Sequence, residues 1–163
     1  MSDIIIVDIE ASGLHFDSYP IEIALRISRK TYTWLIKPES DWDYWSEEAE
    51  SLHGISLNHL NNHGISAFQV ANEINSCLSE TTGLIYSDAA AWDNDWMKTL
   101  FYAAGISPCF TILPIQDFMD MTQQEAFFNK FDRLVKSDKY KEHRAGDDVE
   151  MIEKAYQFVM DFE

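Results

Sequence analysis

Five residues carry the chemistry this chain could perform: Asp8, Glu10, Asp93, His143 and Asp148. Asp8 and Glu10 flank Ile9 at the end of the apolar run Ile4-Ile5-Ile6-Val7. On a strand their side chains therefore leave the same face, and both can reach one site. Asp93 sits mid-chain in Ala91-Trp92-Asp93-Asn94-Asp95-Trp96-Met97, and His143 and Asp148 sit late, in His143-Arg144-Ala145-Gly146-Asp147-Asp148. Carboxylates gathered into one pocket repel each other, so a fold that assembles them is expected to hold cations between them. Oxygen donors suit hard divalent ions. A histidine beside such a cluster, with a pKa near ~6.5, suits proton transfer from water. The set points to metal-dependent hydrolysis of the kind nucleases perform. Asp88 and Asp95 are rival ligands for the mid-chain position, and the apolar pattern of Trp92, Trp96 and Met97 favours Asp93.

The elements that must position these groups follow from apolar spacing and turn residues. Residues 3–9 read as a buried, β-branched strand, broken by Ser12-Gly13-Leu14. Residues 21–28 alternate as a half-buried strand does, and 31–36 follow after a tight turn near Arg29-Lys30. The three form an antiparallel meander that Pro38 ends. Ser46 caps a short helix over 46–52, closed by Gly54. Residues 66–78 form an amphipathic helix with the stripe Phe68, Ala71, Ile74 and Leu78. Short strands are expected at 84–86 and 111–115, with helices at 94–104, 122–135 and 147–162. The last helix turns Val149, Ile152, Tyr156 and Val159 to the core. This is an α/β layered pattern, and residues 1–163 are expected to make one domain.

Composition bounds the partners. The 46% hydrophobic and 13% aromatic content is that of a globular protein. No apolar stretch approaches the ~20 residues of a membrane span, and no signal peptide opens the chain. Cys77 and Cys109 match neither a disulfide framework nor a zinc motif, so a reducing cytoplasm is the expected setting. The net charge of −16 works against a nucleic-acid substrate. Divalent cations would offset part of it. Six of the twelve basic residues also fall together, at Lys130, Arg133, Lys136, Lys139, Lys141 and Arg144, leading into His143. That strip either tracks a phosphate backbone or is an ordinary solvated helix face.

The motifs resemble a known family. Asp8-Ile9-Glu10-Ala11-Ser12-Gly13-Leu14 is similar to its first motif, D-x-E-x-x-G-L. The stretch around Asp93 is similar to A-x-F-D-x-x-F-L, and that from His143 to H-x-A-x-x-D. Pro20-Ile21-Glu22-Ile23-Ala24 and His53-Gly54-Ile55 are further landmarks. Together these resemble the DEDDh exonucleases of the DnaQ-like superfamily, along nearly the whole chain. The resemblance implies an RNase H-like fold, a five-stranded mixed sheet flanked by helices. It implies 3′→5′ hydrolysis of single-stranded ends with release of nucleoside 5′-monophosphates. Asp8, Glu10, Asp93 and Asp148 would then hold two Mg²⁺ or Mn²⁺ ions, and His143 would be the general base. Ala11, Leu14 and His53 match positions near the terminal nucleotide. Ala11 and Ser12 stand where relatives have threonines, and Asp88 and Ala89 where many have a His-Asn pair.

The leading expectation is a freestanding exonuclease on DNA or RNA 3′ ends, with DNA slightly favoured and a homodimer open. The rivals are an RNA-trimming, oligoribonuclease-like enzyme and a non-catalytic nucleic-acid- or protein-binding module on the same fold. His15, His59 and His63 are expected at the surface, and Trp92 and Trp96 in the core. Trp42 and Trp45, in an acidic loop, are candidates for a substrate rim or a partner surface. His53 is open to two readings, a helix-end cap or a substrate contact.

Overall fold

A computed structural model describes residues 4–161; Asp3 of the first expected strand and Phe162 of the last expected helix lie outside them. Strands β1 (Ile6–Ala11), β2 (Pro20–Ile27) and β3 (Lys30–Leu35) form the expected meander. Its hairpin turn is Ser28-Arg29, with φ of 47° and 66°. Positive φ at both central residues matches the twist of the flanking strands. Strands β4 (Leu84–Ser87) and β5 (Thr111–Pro114) then add in parallel, giving the order β3-β2-β1-β4-β5. The sheet is therefore mixed, with β1 at its centre.

Helices cover both faces. On one side lie α3 (Ala67–Leu78) and α4 (Ala90–Ala104), packed on Ile5, Val7, Ile9 and Ile23. On the other lie α5 (Met121–Val135) and α6 (Ala145–Met160), with Phe127, Val149 and Ile152 packed on Ile6 and Ala24. The two-residue period of β1 thus assigns its odd positions to α3 and α4 and its even positions to α6. A third cluster, of Tyr19, Ile21, Ile55 and Leu60, seats α1 (Glu47–His53) and α2 (Leu57–His63).

Three details differ from expectation. Helix α2 is present although its sequence shows no apolar stripe; only Leu60 is buried, and the Ser56 side chain caps it. Residue 115 belongs to a 3₁₀ turn, Ile115–Phe118, because Pro114 ends the strand. On α3 the inward face is Ala67, Val70, Ala71, Ile74 and Leu78, and Phe68 is 58% exposed. Small Ala67 fits against the sheet where the larger ring would not.

Candidate active site

Asp8 and Glu10 project from the even face of β1, where α6 lies. The register sets Asp8 opposite Ala24 and Glu10 opposite Glu22, with an irregularity between Glu10 and Ala11 that ends the regular ladder. The chain leaving β1 is held firmly. Ser12 exchanges two bonds with Tyr19, its N–H donating to the Tyr19 carbonyl at 2.9 Å and its Oγ accepting from the Tyr19 N–H at 3.1 Å. The Ser46 N–H donates to the Ser12 carbonyl at 2.8 Å, tying this loop to the start of α1. At Gly13 a Cβ would lie 2.6 Å from the Tyr44 ring and 2.9 Å from Ser46, so a side chain there would push α1 away.

Asp93 enters from the opposite layer. It lies in the first turn of α4 and is buried, and the Ser87 hydroxyl donates to its Oδ2 at 2.5 Å. Ser87 ends β4 and also accepts from the Ala89 N–H, so one buried hydroxyl fixes both the carboxylate and the helix start. The helix begins at Ala90, four residues earlier than expected.

His143 arrives on the loop into α6, and Asp148 in the first turn of that helix. The His143 backbone is left-handed, with φ of 62°, and its N–H donates to Asp148 Oδ2 at 3.1 Å. Ligand atoms of Glu10, His143 and Asp148 all lie within 4.8 Å of one another. Asp8 and Asp93 are not in that tight triple, but both line the same cavity of about 420 Å³.

The electrostatics are those of crowded carboxylates. Burial holds the Asp8 carboxyl well above its usual range, and the charges of Asp93, Asp148, Glu10 and Asp88 push it further. Burial likewise raises Asp93 well above its usual range. Glu10 is pushed up to about 7, by burial first and then by Glu22. Asp148 is pushed up to about 8, by burial and then by Glu10. Asp8 Oδ2 and Asp148 Oδ1 are sealed from solvent without a hydrogen-bond partner among the described residues. An oxygen-rich set with two buried unpartnered oxygens fits divalent cations.

The cavity walls include all three residues expected near a terminal nucleotide. Ala11 is buried, Leu14 is 71% exposed at the mouth, and His53 is buried. The structure shows the helix-end reading of His53 directly, on one of its two ring nitrogens. Nδ1 accepts from the Ile55 N–H at 3.0 Å, which closes the end of α1. The ring proton is therefore assigned to Nε2, which is buried without a partner among the described residues, on a residue of the cavity wall. Burial lowers the His53 pKa, favouring this neutral donor form.

Other placements correct the expectations. Trp92 does not join the core with Trp96: it is 40% exposed, stacks on Trp96 and lines the cavity. Trp42 stacks on Tyr19, and Trp45 donates its Nε1–H to Glu50, so both pack against the third cluster. Asp88 is itself a cavity residue whose carboxyl burial raises. Sequence reasoning set it aside for Asp93, and its place just after a strand end was the available signal. Phe131 on α5 was missed altogether, because one apolar residue on an amphipathic helix carries no mark of a rim position. The basic strip is partly engaged within the molecule. Lys130 lies over the Phe158 ring, Lys139 over Tyr140, and Arg144 pairs with Glu22. His59 and His63 are exposed, as expected, with their rings 4.5 Å apart.

Solved structures share this fold. Escherichia coli exonuclease I in complex with a dT13 oligonucleotide matches with a TM-score of 0.75 at 17% identity, over 96% of this chain and 40% of that one. The zinc-bound form of the E. coli exonuclease I–ssDNA complex matches with a TM-score of 0.73 at 17% identity, over 98% and 42%. Exonuclease I in its apo form gives 0.72 at 15% identity, over 98% and 43%. The chain thus spans about 40% of the length of the first of these proteins. No family model matches the sequence, and no curated protein does. The five-stranded mixed sheet flanked by helices is the RNase H-like fold of exonuclease I. No helix among the described residues is long and apolar enough to cross a membrane.

Proposed function

We propose that this chain is a metal-dependent 3′→5′ exonuclease of the DEDDh kind, acting on single-stranded nucleic acid, with DNA favoured over RNA. One observation carries the reading. Acids from three separate elements, Asp8 and Glu10 on β1, Asp93 on α4 and Asp148 on α6, line one cavity with His143, and two of their oxygens are sealed and, among the described residues, unpartnered. The likeness to exonuclease I, whose structures hold single-stranded DNA, supports the substrate class.

Asp8, Glu10, Asp93 and Asp148 would hold two Mg²⁺ or Mn²⁺ ions. Bound there, such ions supply Lewis-acid polarisation of the phosphoryl oxygens and of water. His143 receives the proton of the attacking water. The water oxygen bonds to phosphorus, the bond to the 3′ oxygen of the preceding nucleotide breaks, and a nucleoside 5′-monophosphate leaves. His53 offers its Nε2–H to the terminal nucleotide. The pinned backbone at Ala11 faces the 3′ hydroxyl, and Leu14 and Trp92 flank the base. Residues 1–163 form the catalytic domain on this reading. A non-catalytic binding module is the second reading, favoured by the net charge of −16 and by Asp88 and Ala89 standing where many relatives have a His-Asn pair.

End-labelled single- and double-stranded DNA and RNA, incubated with Mg²⁺ or Mn²⁺, test the proposal. Stepwise ladders from the 3′ end that EDTA abolishes are expected. Mn²⁺ binding without mononucleotide release from any of the four substrates would support the second reading instead.

A further inference from the structure

The loop carrying His143 is tied to the sheet by an arrangement that metal chemistry does not require. Glu22 on β2 is 4% exposed, yet its carboxylate takes three donors, all from the start of α6. Arg144 reaches it with Nη2 at 2.8 Å and Nε at 3.1 Å, and the Ala145 N–H donates to Oε2 at 3.1 Å. Two parallel bonds from a planar guanidinium fix direction as well as distance. Residues 144 and 145 lie between His143 and Asp148, so this contact sets the angle at which both enter the cavity. His143 needs such support, because its left-handed backbone is disfavoured for a residue with a Cβ. A third tie, the Lys141 N–H donating to Asp147 Oδ2 at 2.7 Å, closes the other side of the loop.

Glu22 also sits directly opposite Glu10 on the neighbouring strand. Two like charges so placed destabilise a sheet. Arg144 pairs with Glu22 and offsets part of its charge, although Glu22 still pushes the Glu10 carboxyl up.

From this geometry we infer that Glu22 and Arg144 are positioning residues that hold His143 and Asp148 at the angle the reaction needs. The inference rests on the exonuclease reading for its kinetic consequence. The molecule supplies its own control. A second buried pair, Arg26 Nε with Glu153 Oε2 at 2.9 Å, joins the same two elements about two helical turns further along α6. A contact that merely glued α6 to β2 would behave the same way at either place.

The test compares Glu22→Gln and Arg144→Lys with Glu153→Gln and Arg26→Lys in the full chain. Steady-state kinetics on 3′-labelled oligo(dT), Mn²⁺ binding by calorimetry and thermal midpoints are measured for each. The Glu22 and Arg144 variants are expected to lower kcat by about tenfold or more while KM changes by less than about twofold. Arg144→Lys, which keeps charge but not the planar fork, should remain impaired. The Arg26 and Glu153 variants are expected to lose thermal stability and keep kcat. Equal kcat losses from both pairs, or unchanged kcat in the Glu22 and Arg144 variants, would overturn the inference. If the parent chain degrades nothing, the exonuclease reading fails, and the positioning is then read from the His143 imidazole signals in nitrogen-15 NMR spectra. Those signals should move in the Glu22 and Arg144 variants alone; signals that stay in place would overturn it.

Discussion

The two faces of β1 do opposite work. Its odd positions, Val7, Ile9 and Ala11, are buried with the preceding Ile5 in the larger apolar cluster beneath α3 and α4. Its even positions begin the same way with Ile6 and then turn to Asp8 and Glu10. One strand therefore carries a stabilising face and a destabilising one, offset by a single residue. Burial raises the carboxyls of both Asp8 and Glu10, which reflects the difference. The fold holds carboxylates where their charged forms are disfavoured, and the opposite face supplies the stability that allows it.

Substitutions on the two faces should separate along these lines. Asp8→Asn is expected to reduce 3′-end release by about a thousandfold or more, since metal-bound charge stabilisation is worth several kcal/mol. The same variant should raise the thermal midpoint of the EDTA-treated protein at pH 8, because a neutral amide removes repulsion at the centre of the cluster. A lowered midpoint would break the comparison. Ile23→Ala, on the apolar side, is expected to cost about 2–5 kcal/mol in urea unfolding, with kcat retained by the folded fraction.

The pH dependence sharpens the comparison. The folded-state pKa is about 7 for Glu10 and about 8 for Asp148, against ordinary values of 4.5 and 3.8. Between those limits the folded protein binds more protons than the unfolded chain, so metal-free stability should fall as pH rises from about 4 to about 8. Urea midpoints in EDTA across that range check this, and a flat profile would contradict it. Added Mn²⁺ should restore stability most at the alkaline end, because deprotonated carboxylates are the ligands. Trp92→Ala should have the smallest effect. It is expected to weaken oligonucleotide binding by about 1–3 kcal/mol, the range for one base stacked on an aromatic ring, with little change in unfolding.

Much of this molecule was legible in local patterns. The run Ile4 to Val7 announced β1, and Ser46 and Gly54 closed α1 as their chemistry predicts; β2 is a strand as expected but buried on both faces rather than half-buried, because α6 covers its polar face and pairs Glu22 and Arg26. Helix α2 was not legible, because Leu60 alone of its residues is buried and the cap at Ser56 lies outside any apolar period. The same limit hid the environment of single side chains. Trp92 and Trp96 share a helical spacing that suggests a common fate, yet Trp92 opens on the cavity and Trp96 is buried. Period describes neighbours on one element, whereas the cavity wall is made by five elements meeting, β1, α1, α4, α5 and α6.

The sequence by itself determined that Asp8 and Glu10 share a face, because alternation along a strand is a property of the backbone. It also determined the Ser46 cap and the Gly54 stop of α1, since these need only nearby hydrogen bonds. Tertiary structure alone decided that Asp93, from one side of the sheet, and Asp148, from the other, reach the same cavity as β1. It alone decided that Glu22 holds Arg144 across 122 residues of chain. Such convergence depends on how the layers pack, and packing is a sum over many weak contacts that no short stretch of sequence contains.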